Sequence, residues 1–104
     1  MGRFDVFRHP DPRRRKTVPF LLSIQNDTLS FLETRVVVPL VIEQAFGARI
    51  PFLHPLVVVD GHSVVLAVNE LVAVETSLLG GVITNLSRDA STIVSALDYL
   101  ISGY

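Results

Sequence analysis

The sequence contains no cysteine, no long hydrophobic run and almost no net charge. The lack of cysteine excludes disulfide bonds and thiolate chemistry, and it fits a reducing cytoplasm. A formal net charge of -1 argues against a protein that holds nucleic acid by bulk electrostatic attraction. No apolar run approaches the roughly 20 residues of a membrane-spanning helix. We therefore expect a cytoplasmic protein that binds neither nucleic acid directly nor a membrane.

The chain is short for its apolar content. Its 104 residues predict a single domain covering residues 1–104, and its mean hydropathy of +0.48 is high for a soluble protein of this size. A domain this small cannot bury all of that apolar surface by itself. We therefore expect one face to be covered by another chain, most simply in a homodimer.

Short valine-rich segments separated by turn residues predict a mainly β structure. Pro39 is expected to end the third strand, Asp60-Gly61 predicts a tight hairpin, and Gly80-Gly81 predicts a turn before the final helix. The predicted strands are residues 4–7, 20–24, 35–38, 56–59, 64–67 and 72–74.

The end of the chain has the pattern of an amphipathic helix over residues 87–101. Ser87 is the expected N-cap, and Gly103 is the expected left-handed residue that ends the helix. The residues of its predicted apolar face are Ala90, Ile93, Val94, Leu97, Leu100 and Ile101. Strands first and one helix last predict an α+β fold, mainly β, built as a small antiparallel barrel with a C-terminal α-helix.

No residue pattern predicts an active site, a metal site or a cofactor site. His9, His54 and His62 are scattered through predicted turns and surface segments, without the spacing of metal ligands. We therefore expect no enzymatic activity, no metal and no cofactor. The basic run at residues 13–16, Arg13-Arg14-Arg15-Lys16, is typical of a solvated loop, although phosphates or an acidic partner remain alternatives.

Three segments in order resemble the CcdB family of bacterial toxins. Residues 24–27, Ile-Gln-Asn-Asp, resemble the family's V-Q-S-D, and residues 35–40, Arg-Val-Val-Val-Pro-Leu, resemble its R-x-V-I-P-L strand. The third segment runs from His54-Pro55 and the following valines through Leu86-Ser87 to Gly103-Tyr104. The resemblance covers nearly the whole chain from Phe4 onward.

The resemblance implies an SH3-like barrel of the CcdB/MazF type that assembles as a homodimer. It implies a toxin of a toxin–antitoxin module that binds the A subunit of DNA gyrase and traps the complex of gyrase with cleaved DNA. It also implies a cognate CcdA-like antitoxin and repression of the operon by the toxin–antitoxin complex.

The gyrase contacts of the family, carried over by this resemblance, fall mainly on the end of the helix. Best-studied members have a tryptophan where this chain has Ser102, and an aliphatic residue where it has Tyr104. The positions implied are Asp98, Ile101, Ser102, Gly103 and Tyr104, with Thr28 and Leu29 as secondary positions.

Two other functions remain as alternatives. One is an endoribonuclease toxin of the MazF type, although the start Met1-Gly2-Arg3-Phe4 lacks the G-D-[IV] entry of those proteins. The other is a regulatory dimer that binds the antitoxin without being toxic. It remains because both departures from the family, Ser102 and Tyr104, lie at the helix end that is implied to contact gyrase.

Overall fold

The computed structural model describes residues 2–103 and consists of a curled antiparallel sheet and one long helix at the C-terminal end. This confirms the predicted α+β class and the small barrel. The strands are β1 (Asp5–Arg8), β2 (Phe20–Ser23), β3 (Thr34–Ile42), β4 (Leu56–Val59), β5 (His62–Leu66), β6 (Val72–Glu75) and β7 (Val82–Asn85). The α-helices are α1 (Glu43–Phe46) and α2 (Ala90–Ser102). Within residues 2–103, no helix is both long and apolar enough to cross a membrane.

The strands pair in the order β4-β5-β3-β2-β1-β7, and β6 pairs with the first half of β3. The long strand β3 therefore has β2 along one edge and two successive partners, β6 and then β5, along the other. This change of pairing from one partner to the next curls the sheet.

Pro39 does not end the third strand, so that prediction was wrong. The strand continues to Ile42, and Pro39 lies opposite Leu21 of β2. The carbonyl of Pro39 accepts a hydrogen bond of 3.0 Å from the Ala67 N–H on the other edge. In an antiparallel strand, the N–H and C=O of one residue point to the same edge. An N–H at position 39, which proline lacks, would therefore point to the gap between β6 and β5. Proline is tolerated there because no ladder bond is lost.

The hairpin predicted at Asp60-Gly61 is confirmed. Val59 pairs with His62, which leaves a two-residue turn between β4 and β5. Both turn residues have positive φ, 51° at Asp60 and 80° at Gly61. This is the backbone of a type I′ turn, whose twist matches that of the strands it joins.

The main core lies inside the curled sheet and against α2. A row of side chains crosses three strands on this face, because Val6 pairs with Leu22 and Leu22 pairs with Val38. Ile93 and Ala96 of the helix close the core over this row. Each fully buried valine, leucine or isoleucine contributes about 1.5–3 kcal/mol relative to exposure.

A second, smaller cluster covers the other face of the sheet. It joins Val18, Val41 and Ala67, with Phe46 of α1 packed against them. Val37 and Val38, which point to opposite faces of β3, are both buried. This strand segment is therefore covered on both faces.

Two predictions at the C-terminal end were wrong. Gly80-Gly81 does not lead directly into the helix, because β7 follows it and pairs with β1. Ser87 is not the N-cap of α2: it begins a 3-10 turn, Ser87–Asp89, and its N–H donates to Oδ1 of Asn85 at 2.8 Å. The α-helix begins after this turn, at Ala90.

Candidate functional site

The last turns of α2 form an exposed surface at the end of the molecule. Successive helical residues are about 100° apart, so Asp98 and Ser102 lie opposite the buried face that carries Ile93 and Ala96. Asp98, Ile101 and Ser102 are all exposed, and these three predicted positions share one end of the helix. Their side chains are thus available to a partner without disturbing the core.

Ile101 does not belong to the packed face of the helix, which corrects the sequence prediction. Ile101 is 78% exposed, whereas Leu97 and Leu100 pack against the core. The apolar periodicity continues to Ile101, but this side chain lies about 80° around the helix axis from the buried Ile93 and remains exposed. An isoleucine exposed to this degree is the kind of residue that a partner can cover.

Gly103 ends the helix as predicted. Its φ of 82° and ψ of 10° are left-handed, and its N–H donates to the Tyr99 carbonyl at 2.9 Å. Glycine adopts this conformation without the steric cost that a side chain would bring. Tyr104, the fifth predicted position, lies outside the described residues.

Thr28 and Leu29, the secondary positions, lie on a separate exposed element, the 3-10 turn Asp27–Leu29 between β2 and β3. Asn26 caps this turn, since its Oδ1 accepts hydrogen bonds from the N–H of Thr28 at 2.9 Å and from its Oγ1 at 3.0 Å. The structure therefore groups Asp98, Ile101, Ser102 and Gly103 on one helix end and places Thr28 and Leu29 on the separate turn between β2 and β3.

A buried glutamine holds the turn that carries Thr28 and Leu29. Gln25 donates from Nε2 to the Leu29 carbonyl at 3.1 Å and accepts at Oε1 from the Val36 N–H at 3.1 Å. The carboxylate of Asp27 also accepts a hydrogen bond from the Arg3 N–H. Contacts to the start of the chain and to β3 thus fix the position of the turn.

Sequence reasoning missed two aromatic residues beside the helix end. Phe52 lies in the segment between α1 and β4, and its ring centroid is 6.1 Å from that of Tyr99. Phe52 is 75% exposed and Tyr99 is 37% exposed. No periodicity connects residues so far apart in the chain, so only the tertiary structure reveals this pair.

His54 is buried, which corrects the prediction of a surface histidine. Its Nδ1 accepts from the Ile50 N–H at 3.0 Å, so Nε2 carries the proton and donates to Oδ1 of Asn69 at 2.7 Å. The ring lines an open groove of about 550 Å³ and packs against Phe46 with 4.7 Å between centroids. With both nitrogens already bonded, His54 is a structural residue rather than a base.

The basic run begins within a short 3-10 turn, Pro12–Arg14, on the surface. Arg13 pairs with Asp11 at 3.2 Å, and this hydrogen bond lowers the pKa of the Asp11 carboxyl. Arg15 donates from Nε to the His9 carbonyl at 2.7 Å. Burial and then the charge of Arg14 lower the pKa of His9. Over the described part of the chain, no group of three histidine or acidic side chains could hold a metal ion.

The structure is thus a small antiparallel barrel with a C-terminal helix, and the end of that helix is exposed. The family model described as CcdB protein matches residues 3–103, so the chain belongs to the CcdB family. Proteins of this family are toxins of toxin–antitoxin systems and gyrase poisons rather than enzymes. No curated protein sequence matches the chain.

Proposed function

We propose that this protein binds the A subunit of DNA gyrase through the end of α2 and traps gyrase on cleaved DNA. The observation that carries the proposal is the exposed position of Asp98, Ile101 and Ser102 on the last turns of a helix whose opposite face is buried. These residues contribute little to the core, while the rest of α2 holds them rigidly. Thr28 and Leu29 supply a second contact from the capped turn after β2.

The proposed action is binding alone. The helix end offers one carboxylate, one large apolar side chain and one hydroxyl, which do not form a nucleophile with an activating base. A ligand shifts an enzyme toward one state only by binding that state more tightly than the others. The toxin therefore acts by preferring gyrase that holds cleaved DNA, and each 1.4 kcal/mol of preference multiplies the ratio of trapped to free enzyme about tenfold.

The protein acts as a homodimer and has an antitoxin partner. The support for the dimer is the set of large apolar residues left exposed, among them Leu56 and Val58 on one face of β4. Together with its cognate antitoxin the dimer represses its own operon. Sedimentation equilibrium at micromolar concentration should give twice the 11.5 kDa chain mass; a monomer throughout would contradict the dimer.

The decisive assay is the linearisation of plasmid DNA by purified gyrase. We expect the full-length protein to raise the amount of linear DNA, and a chain truncated after Ser102 to lose this effect. The truncation removes the hydrogen bond from the Gly103 N–H to Tyr99 but no buried side chain among the described residues, so it should remain folded. Ser91→Ala, an exposed position at the other end of α2, serves as the control and should act like the unaltered protein.

Four results separate the alternatives. If the full-length protein never raises linear DNA above background, even with gyrase of its own host, the gyrase proposal fails. A protein that then still binds its antitoxin would be a regulatory dimer, and one that cleaves RNA would be a toxin of the MazF type. Equal activity of the truncated and full-length chains would move the gyrase contact away from the helix end.

A further inference from the structure

The exposed end of α2 is flanked by an aromatic pair that has no role in the core. Phe52 and Tyr99 lie with their ring centroids 6.1 Å apart and their planes inclined by 37°. This separation is within the range of favourable aromatic pairs. The Tyr99 ring nevertheless covers little of Phe52, which is 75% exposed.

Tyr99 of this pair adjoins the proposed contact residue Ser102 on the helix surface. Tyr99 and Ser102 are three residues apart, so they are neighbours on the helix surface. Asp98 and Ile101 form the next such pair, about 100° around the axis. The exposed surface at the helix end therefore runs from Phe52 across Tyr99 and Ser102 to Asp98 and Ile101.

The segment that carries Phe52 is fixed from beneath. The Ile50 carbonyl accepts hydrogen bonds from the N–H of Leu53 at 3.0 Å and from that of His54 at 2.7 Å. Leu53 packs against the core, and His54 is buried and bonded to Asn69. Since the two residues after Phe52 point inward and are held there, the Phe52 ring is directed outward before any partner arrives. A side chain ordered in advance loses less entropy on binding.

The charge at this surface favours a different protein over a second copy of the chain. Asp98 is the only charged residue in the helix sequence ASTIVSALDYLIS. A twofold contact centred on the surface would bring two Asp98 carboxylates together with no cation from α2 to compensate. A partner with a basic side chain beside an apolar pocket would match both the carboxylate and the rings.

We propose that Phe52 and Tyr99 are the aromatic anchor of the gyrase-binding surface and insert into an apolar pocket on the A subunit of gyrase. This inference rests on the proposed function and adds two residues to its site. Aromatic side chains on rigid supports are enriched among the residues that dominate the affinity of protein interfaces. The anchor makes the affinity for gyrase depend on a loop residue that lies outside the helix.

The test measures the dissociation constant for the purified A subunit of gyrase, together with plasmid linearisation by the complete gyrase. We expect Phe52→Ala to weaken binding roughly 30-fold or more, as truncation of a dominant interface residue does. The matched control is Leu78→Ala, which truncates a large apolar residue that is 56% exposed in the 3-10 turn after β6. It should change binding by no more than about twofold.

The outcomes distinguish this inference from the proposed function. Suppose that the unaltered protein traps gyrase and that the dissociation constant of Phe52→Ala for the A subunit is within about twofold of that of the unaltered protein. The aromatic anchor is then overturned, while the proposed function stands. If the unaltered protein traps no gyrase, the proposed function fails and the anchor fails with it. If Phe52→Ala lowers the oligomeric state in sedimentation, Phe52 belongs to a contact between copies, which also overturns the inference. Unchanged urea midpoints for both alanine variants show that folding is not the cause.

Discussion

The guanidinium of Arg35 donates a hydrogen bond of 2.6 Å from Nε to the Oγ of Ser23, and both side chains are completely buried. Arg35 belongs to β3 and Ser23 to β2, so the bond joins neighbouring strands near the capped turn that follows β2. Nη2 of the same guanidinium lies 4.0 Å from the carboxylate of Asp27 in that turn. A buried charge is costly unless it is paired and hydrogen-bonded. This arginine therefore links the interior of the barrel to the turn that carries Thr28 and Leu29.

The substitution Ser23→Ala should lower the free energy of unfolding by about 1.5–3 kcal/mol, because it removes a buried acceptor from a charged donor. In an Arg35→Met background the same substitution should cost clearly less, since the donor is gone. Urea denaturation of the two single variants and the double variant measures this coupling. Equal costs in both backgrounds would mean that the hydrogen bond contributes nothing to stability.

Removing part of a core side chain from α2 should destabilise the whole fold. Ile93 is fully buried against the sheet, so Ile93→Ala should cost about 2–5 kcal/mol. Leu97 packs against the same core but is only half-buried, so Leu97→Ala should cost less. Ser95→Ala, at an exposed position between them, is the control and should be close to neutral. Chemical denaturation that ranks the three variants in another order would contradict the docking of α2 described above.

Two glycines with equally open surroundings should respond to alanine in opposite ways. A side-chain carbon would meet nothing within 4 Å at either Gly61 or Gly80, but Gly61 has a φ of 80° and Gly80 has no left-handed φ. Gly61→Ala should therefore cost about 1–2 kcal/mol through backbone strain. Gly80→Ala should be neutral or should stabilise by up to about 1 kcal/mol, because it restricts the unfolded chain. The thermal unfolding midpoints of the two variants test this prediction. If both midpoints shift in the same direction, the difference in φ between the two glycines does not determine the effect of alanine.

The stability of the protein should fall as the pH drops through the titration of His9. Burial and the charge of Arg14 lower the pKa of His9 in the folded protein, and its Nδ1 accepts a hydrogen bond of 3.0 Å from the Asp11 N–H. As the pH falls below 6.5, the ordinary pKa of histidine, His9 becomes protonated in the unfolded chain before it does in the folded protein. This difference favours unfolding until the pH has also dropped below the pKa of His9 in the folded protein. The lowered pKa of Asp11 acts only at more acidic pH, below about 4.

The variant His9→Gln isolates this contribution, since glutamine keeps an acceptor but does not titrate. Urea denaturation between about pH 7.5 and pH 5 should show a smaller loss of stability for the variant than for the unaltered protein. Parallel losses in the two proteins would show that His9 is not responsible.

Local patterns in the sequence were sufficient for much of the barrel. The Asp60-Gly61 turn was predictable because these residues tolerate positive φ, and Gly103 was predictable as the helix end for the same reason. The valine-rich segments predicted strands, since branched side chains suit a pleated surface. These features depend on the backbone preferences of a few adjacent residues. They are therefore visible without knowledge of the fold.

Where an element ends depends on its neighbours in space. Pro39 remains inside β3 because the partner strand changes at that point, and β7 forms because β1 offers it an edge. Ile101 continues the apolar periodicity of α2 but remains 78% exposed. None of these outcomes can be read from the residues themselves.

The sequence by itself determined the mainly β composition, the hairpin and the C-terminal helix. Its resemblance to the CcdB family also identified the end of that helix as a candidate binding surface. The tertiary structure alone decided that Phe52 lies beside Tyr99, that His54 is buried under the segment carrying Phe52, and that Arg35 reaches Ser23. The physical reason is the range of the interactions involved. Turn and helix preferences act between residues a few positions apart, whereas ring pairs and buried polar bonds join residues that only the closed barrel brings together.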